Sequence, residues 1–219
     1  VGAIGMATDA RDLVLRVPEE ARDGLARVLA ARGLDGRGPL VVLHPGCSMP
    51  ARTYPWELYA EVAGLLARRL GATVALTGTE DERELVARVW WRIDPRWRRA
   101  ALQLAGELDF PAFCALVDTA DLTITNNTGP MHVAAALKTP VVALFALTNP
   151  PEQWGPWQVP HRQLYHDVPC RICYSRVCPH GHECLRLVEP AMVVAAAEEL
   201  LTEAAGRPVS LVGGEGRRA

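Results

Sequence analysis

The sequence predicts an α/β domain: a parallel sheet with helices on both faces. Short, continuously apolar runs alternate with longer stretches whose apolar residues recur at helical spacing, and glycine or proline marks most of the junctions. An apolar fraction of 49% in 219 residues is enough to bury one sizeable core.

The elements follow in order. Residues Val1 to Asp12 are mixed and expected to be flexible, and Val1 in place of Met suggests a trimmed chain or a fragment. Leu13 to Val17 alternates as an edge strand does, and Pro18-Glu19-Glu20 opens a helix through Ala31 that stops at Gly33. Gly36-Arg37-Gly38-Pro39 is a hinge-like junction, so residues 1–39 read as a flexible N-terminus with a linking strand and helix. The main domain, 40–205, begins with the buried strand Leu40 to Leu43 and the turn His44-Pro45-Gly46. A helix from Trp56 to Arg69, with Leu58, Val62, Leu65 and Leu66 on one face, ends at Gly71 before a strand from Thr73 to Leu76. After Thr77-Gly78-Thr79 a helix runs from Glu80 toward Trp90. Ala101 to Leu104 is a short strand, Phe110 to Thr119 a helix, and Leu122 to Thr125 the next strand. A helix from near Pro130 and a strand from Pro140 to Phe145 complete the regular part. The proline- and tryptophan-rich stretch Thr148 to Pro160 reads as a structured loop. Beyond the cysteine-rich segment 170–184, a terminal helix from Pro190 to Ala205 closes one sheet face, and the tail 206–219 should fray.

Charge excludes some classes of function. With 23 basic and 25 acidic side chains the chain carries no global field toward nucleic acid, and no nucleic-acid partner is expected. No apolar run approaches the roughly 20 residues that cross a bilayer, and no signal peptide is visible, so the expected compartment is the cytoplasm. Trp90-Trp91-Arg92 with Arg96-Trp97-Arg98-Arg99 is a basic aromatic patch. It either rests against an anionic glycolipid surface, as peripheral contact with the inner membrane, or against a nucleic acid strand, or more simply packs its tryptophans at a helix end with the arginines in water.

Asn126 to Ala136 follows a strand and opens a helix, where a parallel sheet receives an anion or a nucleotide. Thr128 and Gly129 let a phosphate approach backbone amides, and His132 lies one turn into the helix. The alternative is that Gly129-Pro130 only starts a helix and His132 caps or packs. The loop His44 to Thr53 occupies the equivalent place after an earlier strand, where Arg52 either grips phosphate oxygens bidentately or is an ordinary surface arginine. Thr77-Gly78-Thr79 is a weaker third loop. Neither a Walker A motif nor a complete GxGxxG is present, which disfavours a P-loop hydrolase and a dinucleotide enzyme.

Cys170, Cys173, Cys178 and Cys184 place four soft ligands within fifteen residues, with His180 and His182 among them. Such a set can surround a structural zinc ion or an iron–sulfur cluster, although the spacing matches neither a zinc finger nor a ferredoxin. Free thiols and a redox role are the alternatives. Cys47 and Cys114 read as a loop thiol and a buried thiol.

From Leu40 to about Pro156, and more loosely to Leu201, the chain resembles the C-terminal, donor-binding domain of the bacterial ADP-heptose:lipopolysaccharide heptosyltransferases, glycosyltransferase family 9. The resemblance rests on His44-Pro45-Gly46 through Pro55-Trp56, Thr77-Gly78, Asn127-Thr128-Gly129-Pro130-Met131-His132 with its alanine run, and Phe145 through Pro151. It implies a Rossmann-like half of the two-domain GT-B architecture, here with a cysteine-rich appendage. A nucleotide-sugar donor, in the family ADP-heptose, would contact Gly46, Ser48, Arg52, Thr77, Gly78, Asn127, Thr128, Gly129, His132 and Thr148. The implied acceptor is lipopolysaccharide core, and catalysis needs no cofactor. The stretch before Leu40 is too short for the N-terminal acceptor domain that would supply the general base, so no catalytic residue is assigned and the chain alone should transfer little. Two departures stand out: Arg52 replaces the usual Lys, and Asn127 replaces the usual Asp. A non-catalytic binding or scaffold module with a structural metal centre is the reading from another class.

Overall fold

The computed structural model describes Gly5, Met6 and residues 8–33 and 38–205. The expected tail 206–219 and part of the hinge at 36–39 lie outside the described residues. Within them, six strands form one all-parallel sheet in the order β3-β2-β1-β4-β5-β6. The strands are β1 (Leu40–His44), β2 (Thr73–Leu76), β3 (Ala101–Gln103), β4 (Leu122–Asn126), β5 (Val141–Leu144) and β6 (His161–Leu164).

Alternation along each strand builds two cores. On one face Val41, Leu43, Val74, Leu76, Leu122 and Ile124 meet α2 (Trp56–Leu70), α3 (Arg83–Arg92) and α9 (Pro190–Ala205). On the other, Leu40, Val42, Ala75, Val141 and Ala143 meet α1 (Glu19–Ala31), α5 (Phe110–Thr119) and α6 (Gly129–Leu137). The short helices α4 (Pro95–Arg98), α7 (Pro151–Trp154) and α8 (Glu183–Arg186) lie in connections. Strands buried on both faces favour apolar residues at successive positions, which is why β1, β2 and β5 read as largely apolar runs, whereas the equally buried β4 alternates Leu122 and Ile124 with Thr123 and Thr125.

Four expectations change. Leu13 to Val17 forms no strand: it is irregular, with Val14 80% exposed, and the residues just before it bond instead to side chains, the Arg11 carbonyl to Trp157 and Asp12 to Lys138. The sheet gains β6 instead, whose His161-Arg162-Gln163-Leu164 lacks the apolar run that marks a central strand because it lies at the sheet's edge. The buried face of α2 centres on Tyr59, Val62, Ala63 and Leu66, with Leu58 and Leu65 only partly covered. The helix expected from Glu80 splits into a 3-10 turn, Glu80–Glu82, followed by α3.

Candidate functional site

From β1 the chain proceeds to β2 and β3 on one side, and from β4 to β5 and β6 on the other. The loops leaving these two adjacent parallel strands therefore diverge, and a crevice opens at their C-terminal ends. Asn126, the last residue of β4, forms the floor. Its Oδ1 accepts from the Tyr54 N–H at 2.9 Å, and its Nδ2 donates to the carbonyls of Pro45 and Gly46 at 3.0 and 3.2 Å. One buried amide thus ties the end of β4 to the loop after β1 and to the entry of α2.

Two cavities meet at the Thr128-Gly129 turn. The larger, about 390 Å³, has an apolar wall of Leu104, Leu108, Phe110, Phe113, Pro130 and Val133. Its opposite edge is polar, with Gly46, Ser48, Thr77, Gly78, Thr79 and Glu82. His44 is buried there, its Nδ1 sharing a hydrogen bond with Thr77 Oγ1 at 3.0 Å and its ring edge-to-face with Phe113. Burial lowers the pKa of His44 against the opposing pull of Glu82, so the imidazole is neutral near pH 7. The 3.7 Å approach of its Nε2 to Glu82 is then a polar contact and not an ion pair. Glu82 Oε2 accepts from the Thr79 N–H at 2.8 Å, which aims the carboxylate at the cavity edge. A side chain at Gly46 would displace that carboxylate, so glycine leaves it its place at the cavity edge.

The smaller cavity, about 210 Å³, is lined by Arg52, Asn127, Thr128, Gly129, Met131, His132, Asn149 and Trp154, none of them acidic. Arg52 Nε donates to Thr148 Oγ1 at 2.9 Å, and Thr148 Oγ1 donates to Asn149 Oδ1 at 3.3 Å. Asn127 Nδ2 donates to the same Asn149 oxygen at 3.0 Å, while its Oδ1 accepts from the Ala146 N–H at 3.3 Å. This chain fixes the Arg52 guanidinium over the start of α6, where the helix dipole adds positive potential. Thr128 caps α6 in extended conformation without using its hydroxyl, and nothing lies within 4 Å of where a Gly129 side chain would project. His132 stands exposed at the rim, its pKa lowered by partial desolvation. A fixed guanidinium, a hydroxyl not used in capping and a helix start are together the groups that could receive an anion, beside an apolar slot.

The sequence-predicted residues divide between the two cavities. Gly46, Ser48, Thr77 and Gly78 line the larger; Arg52, Asn127 and His132 line the smaller; Thr128 and Gly129 border both. Thr148 is buried behind Arg52 and orients it, lining neither cavity. Both ends of the Asn127 amide are committed to internal bonds. The sequence reading placed His44 and Asn126 in candidate loops and Asn149 in the family-like stretch Phe145 to Pro151 without giving any of them a role, and it missed Glu82 and the apolar wall. Thr79-x-x-Glu82 carries a readable capping-box signature that could have found Glu82.

Cys170, Cys173, Cys178 and Cys184 are free and partly buried, and among the described residues no group of three or more His, Cys, Asp or Glu side chains is arranged to hold a metal ion. Burial raises the pKa of Cys184, and the nearby thiols of Cys178, Cys170 and Cys173 raise it further. In the basic aromatic patch, the Trp90 indole donates to the Ala101 carbonyl, and Arg98 stacks over Trp90 and Trp91 while donating to the carbonyls of Trp91 and Ile93. Packing accounts for Trp90 and Arg98, whereas Trp91 is exposed.

A family model described as glycosyltransferase family 9 (heptosyltransferase) matches residues 12–183. Lipooligosaccharide heptosyltransferase 2 of Campylobacter jejuni subsp. jejuni serotype O:2 is 30% identical over 162 residues, covering 73% of this chain and 50% of its own length. Lipopolysaccharide heptosyltransferase 3 of Escherichia coli K12 is 29% identical over 208 residues, covering 91% and 57%. The crystal structure of the glycosyl transferase family 9 from Veillonella parvula DSM 2008 superposes with a TM-score of 0.77 at 26% identity, over 90% of this chain and 56% of its own. The chain spans about half the length of the curated relatives it matches.

Proposed function

The chain belongs to glycosyltransferase family 9, the heptosyltransferases, and from that premise we propose that it is the donor-binding half of an inverting two-domain enzyme that transfers heptose from ADP-heptose to lipopolysaccharide core. The observation that carries this reading is the bipartite crevice, an apolar slot joined at Thr128-Gly129 to a cationic cavity without acidic lining. A base stacks against Leu104, Phe113 and Val133, and ribose hydroxyls meet Glu82. The diphosphate lies on Arg52, the Thr128 hydroxyl and the start of α6, and the sugar extends toward His132 and Trp154.

In the transfer, an acceptor hydroxyl attacks the anomeric carbon opposite the departing ADP. The new C–O bond forms as the bond to the phosphate oxygen breaks, and the hydroxyl proton passes to a base on the acceptor-binding half. Negative charge grows on the diphosphate, where Arg52 and the helix start stabilise it. Action in the cytoplasm, with lipopolysaccharide core as acceptor, belongs to the same proposal. Among the described residues no helix is long and apolar enough to cross a membrane.

The proposal extends to a structural metal at Cys170, Cys173, Cys178 and Cys184, although the described side chains are not arranged as a ligand set and would have to draw together around it. The donor set is chemically apt: three thiols stand near enough to Cys184 to oppose its ionisation, and a soft cation among them would reverse that sign. Zinc and an iron–sulfur cluster are separated by elemental analysis and the visible absorption spectrum of the purified chain.

The function is tested by calorimetric titration with ADP, ADP-heptose and adenosine. One saturable site, tighter for the diphosphates than for adenosine, is the expected result. A folded chain whose Tm and heat signal ignore all three ligands would point instead to a non-catalytic module that kept the fold.

A further inference from the structure

The cysteine-rich segment has no long element of its own; its regular part is the four-residue α8. It is nevertheless hydrogen-bonded to both loops that build the cationic cavity. On the first loop, the Ala51 N–H donates to the Arg176 carbonyl at 3.0 Å and His182 Nε2 donates to the Ala51 carbonyl at 2.8 Å. On the second, the Cys173 N–H donates to the Leu147 carbonyl at 3.3 Å and the Tyr174 N–H to the Thr148 carbonyl at 3.0 Å. Ala51 directly precedes Arg52, and Leu147 directly precedes Thr148. The side chains of Arg52 and Thr148 bond to each other at 2.9 Å.

We propose that the segment from Cys170 to Cys184 is a strap that sets the position of the Arg52 guanidinium, with His182 as its positioning residue. The proposal rests on the reading of the smaller cavity as a diphosphate cradle. The physical reason is that both loops are short of regular backbone bonding where Arg52 and Thr148 stand. Arg52 ends a single 3-10 turn, Pro50–Arg52, and Thr148 lies in an irregular stretch after β5. The strap supplies both with backbone partners and so fixes one against the other. It acts on the cationic cavity and leaves the apolar slot alone, because the strap bonds to neither Glu82 nor the wall of Leu104 and Phe113 among the described residues. Since only an NH can bond to the Ala51 carbonyl, the role requires the Nε2–H form of His182.

The test compares the parent chain with H182A and H182Q. H182A is expected to bind ADP about tenfold more weakly, the effect of one lost hydrogen bond on a positioned charge. Its affinity for adenosine should stay within about twofold of the parent, which a general loss of structure would not allow. Gln places an amide NH near the same carbonyl, so H182Q should recover most of the ADP affinity. In the absence of ligand, the Ala51 amide should exchange its hydrogen faster in H182A. If the parent binds no ADP, the donor reading fails, and the Ala51 exchange rate alone then decides the strap. Should H182A not fold, the parent decides it: ADP binding is expected to slow exchange at Ala51 and Tyr174 together. Unchanged exchange at Ala51 in H182A, or at Tyr174 on ADP binding, overturns the proposal, as does ADP affinity in folded H182A equal to that of the parent.

Discussion

Arg52 and Gly129 affect the same cavity by opposite means, one by what it supplies and the other by what it omits. The guanidinium of Arg52 is fixed through Nε and faces a cavity with no acidic lining, so Arg52→Ala removes charge-assisted bonds to an anion. Such bonds contribute about 1.5–3 kcal/mol, and ADP affinity measured by calorimetry should fall by roughly 10- to 100-fold. Arg52→Lys keeps the charge but loses the Nε anchor to Thr148, and an intermediate loss is expected. At Gly129 a side chain meets nothing in the protein, so Gly129→Leu should leave stability within about 1 kcal/mol while occupying the ligand's space. Undiminished ADP binding by a folded Gly129→Leu would show that the ligand does not pass the start of α6. Both residues were legible in the sequence because they sit at stereotyped places after strands. The role of Asn126 was not: the residue stands in the singled-out loop, but what it does comes from carbonyls eighty residues away in the chain. Asn127 shows the converse, since a polar residue beside a ligand loop is here committed to bracing the next loop.

Helices were easier to read than edges. The 3.6-residue period placed α1, α2, α5 and α9 to within a few residues, because an amphipathic face is written locally. An edge strand such as β6 is defined by the neighbour it pairs with, and the cysteine strap by the loops it touches, neither of which is local information. The N-terminal helix shows what an element adds beyond its own sequence. Residues 1–39 read as a flexible N-terminus with a linking strand and helix, and that helix does more than link: α1 lies on α5 with Leu25 and Leu29 buried in the second core and Arg22 paired with Asp118. Burial of a leucine contributes about 1.5–3 kcal/mol, so a chain beginning at Gly38 should lose about 3–6 kcal/mol of unfolding free energy. Urea denaturation followed by tryptophan fluorescence measures the loss. A difference under 1 kcal/mol would mean that α1 rests on the sheet without stabilising it.

At the scale of the whole molecule, the strand order places the crevice at the point where the chain's direction of travel across the sheet reverses, and the same geometry puts a histidine in the interior. His44 ends β1 with the crevice loops packed over it, and desolvation lowers its pKa more than Glu82 raises it. His132 at the rim is shifted in the same direction. The unfolded chain, with histidine near pH 6.5, therefore binds protons at a pH where these folded side chains do not. Stability should be flat above about pH 7 and decline as pH falls below about 6.5. The decline approaches 1.4 kcal/mol per pH unit for each histidine and levels off below its folded pKa. Thermal unfolding at pH 7.5, 6.5 and 5.5 checks this, and His44→Gln separates the buried contribution from the rest. Gln can still bond to Thr77 but cannot take up a proton, so its stability should change less between pH 6.5 and 5.5. An identical fall in Tm for the parent and His44→Gln would place the acid sensitivity elsewhere, and a rise in parent Tm on acidification would mean that the Glu82 carboxylate outweighs burial at His44.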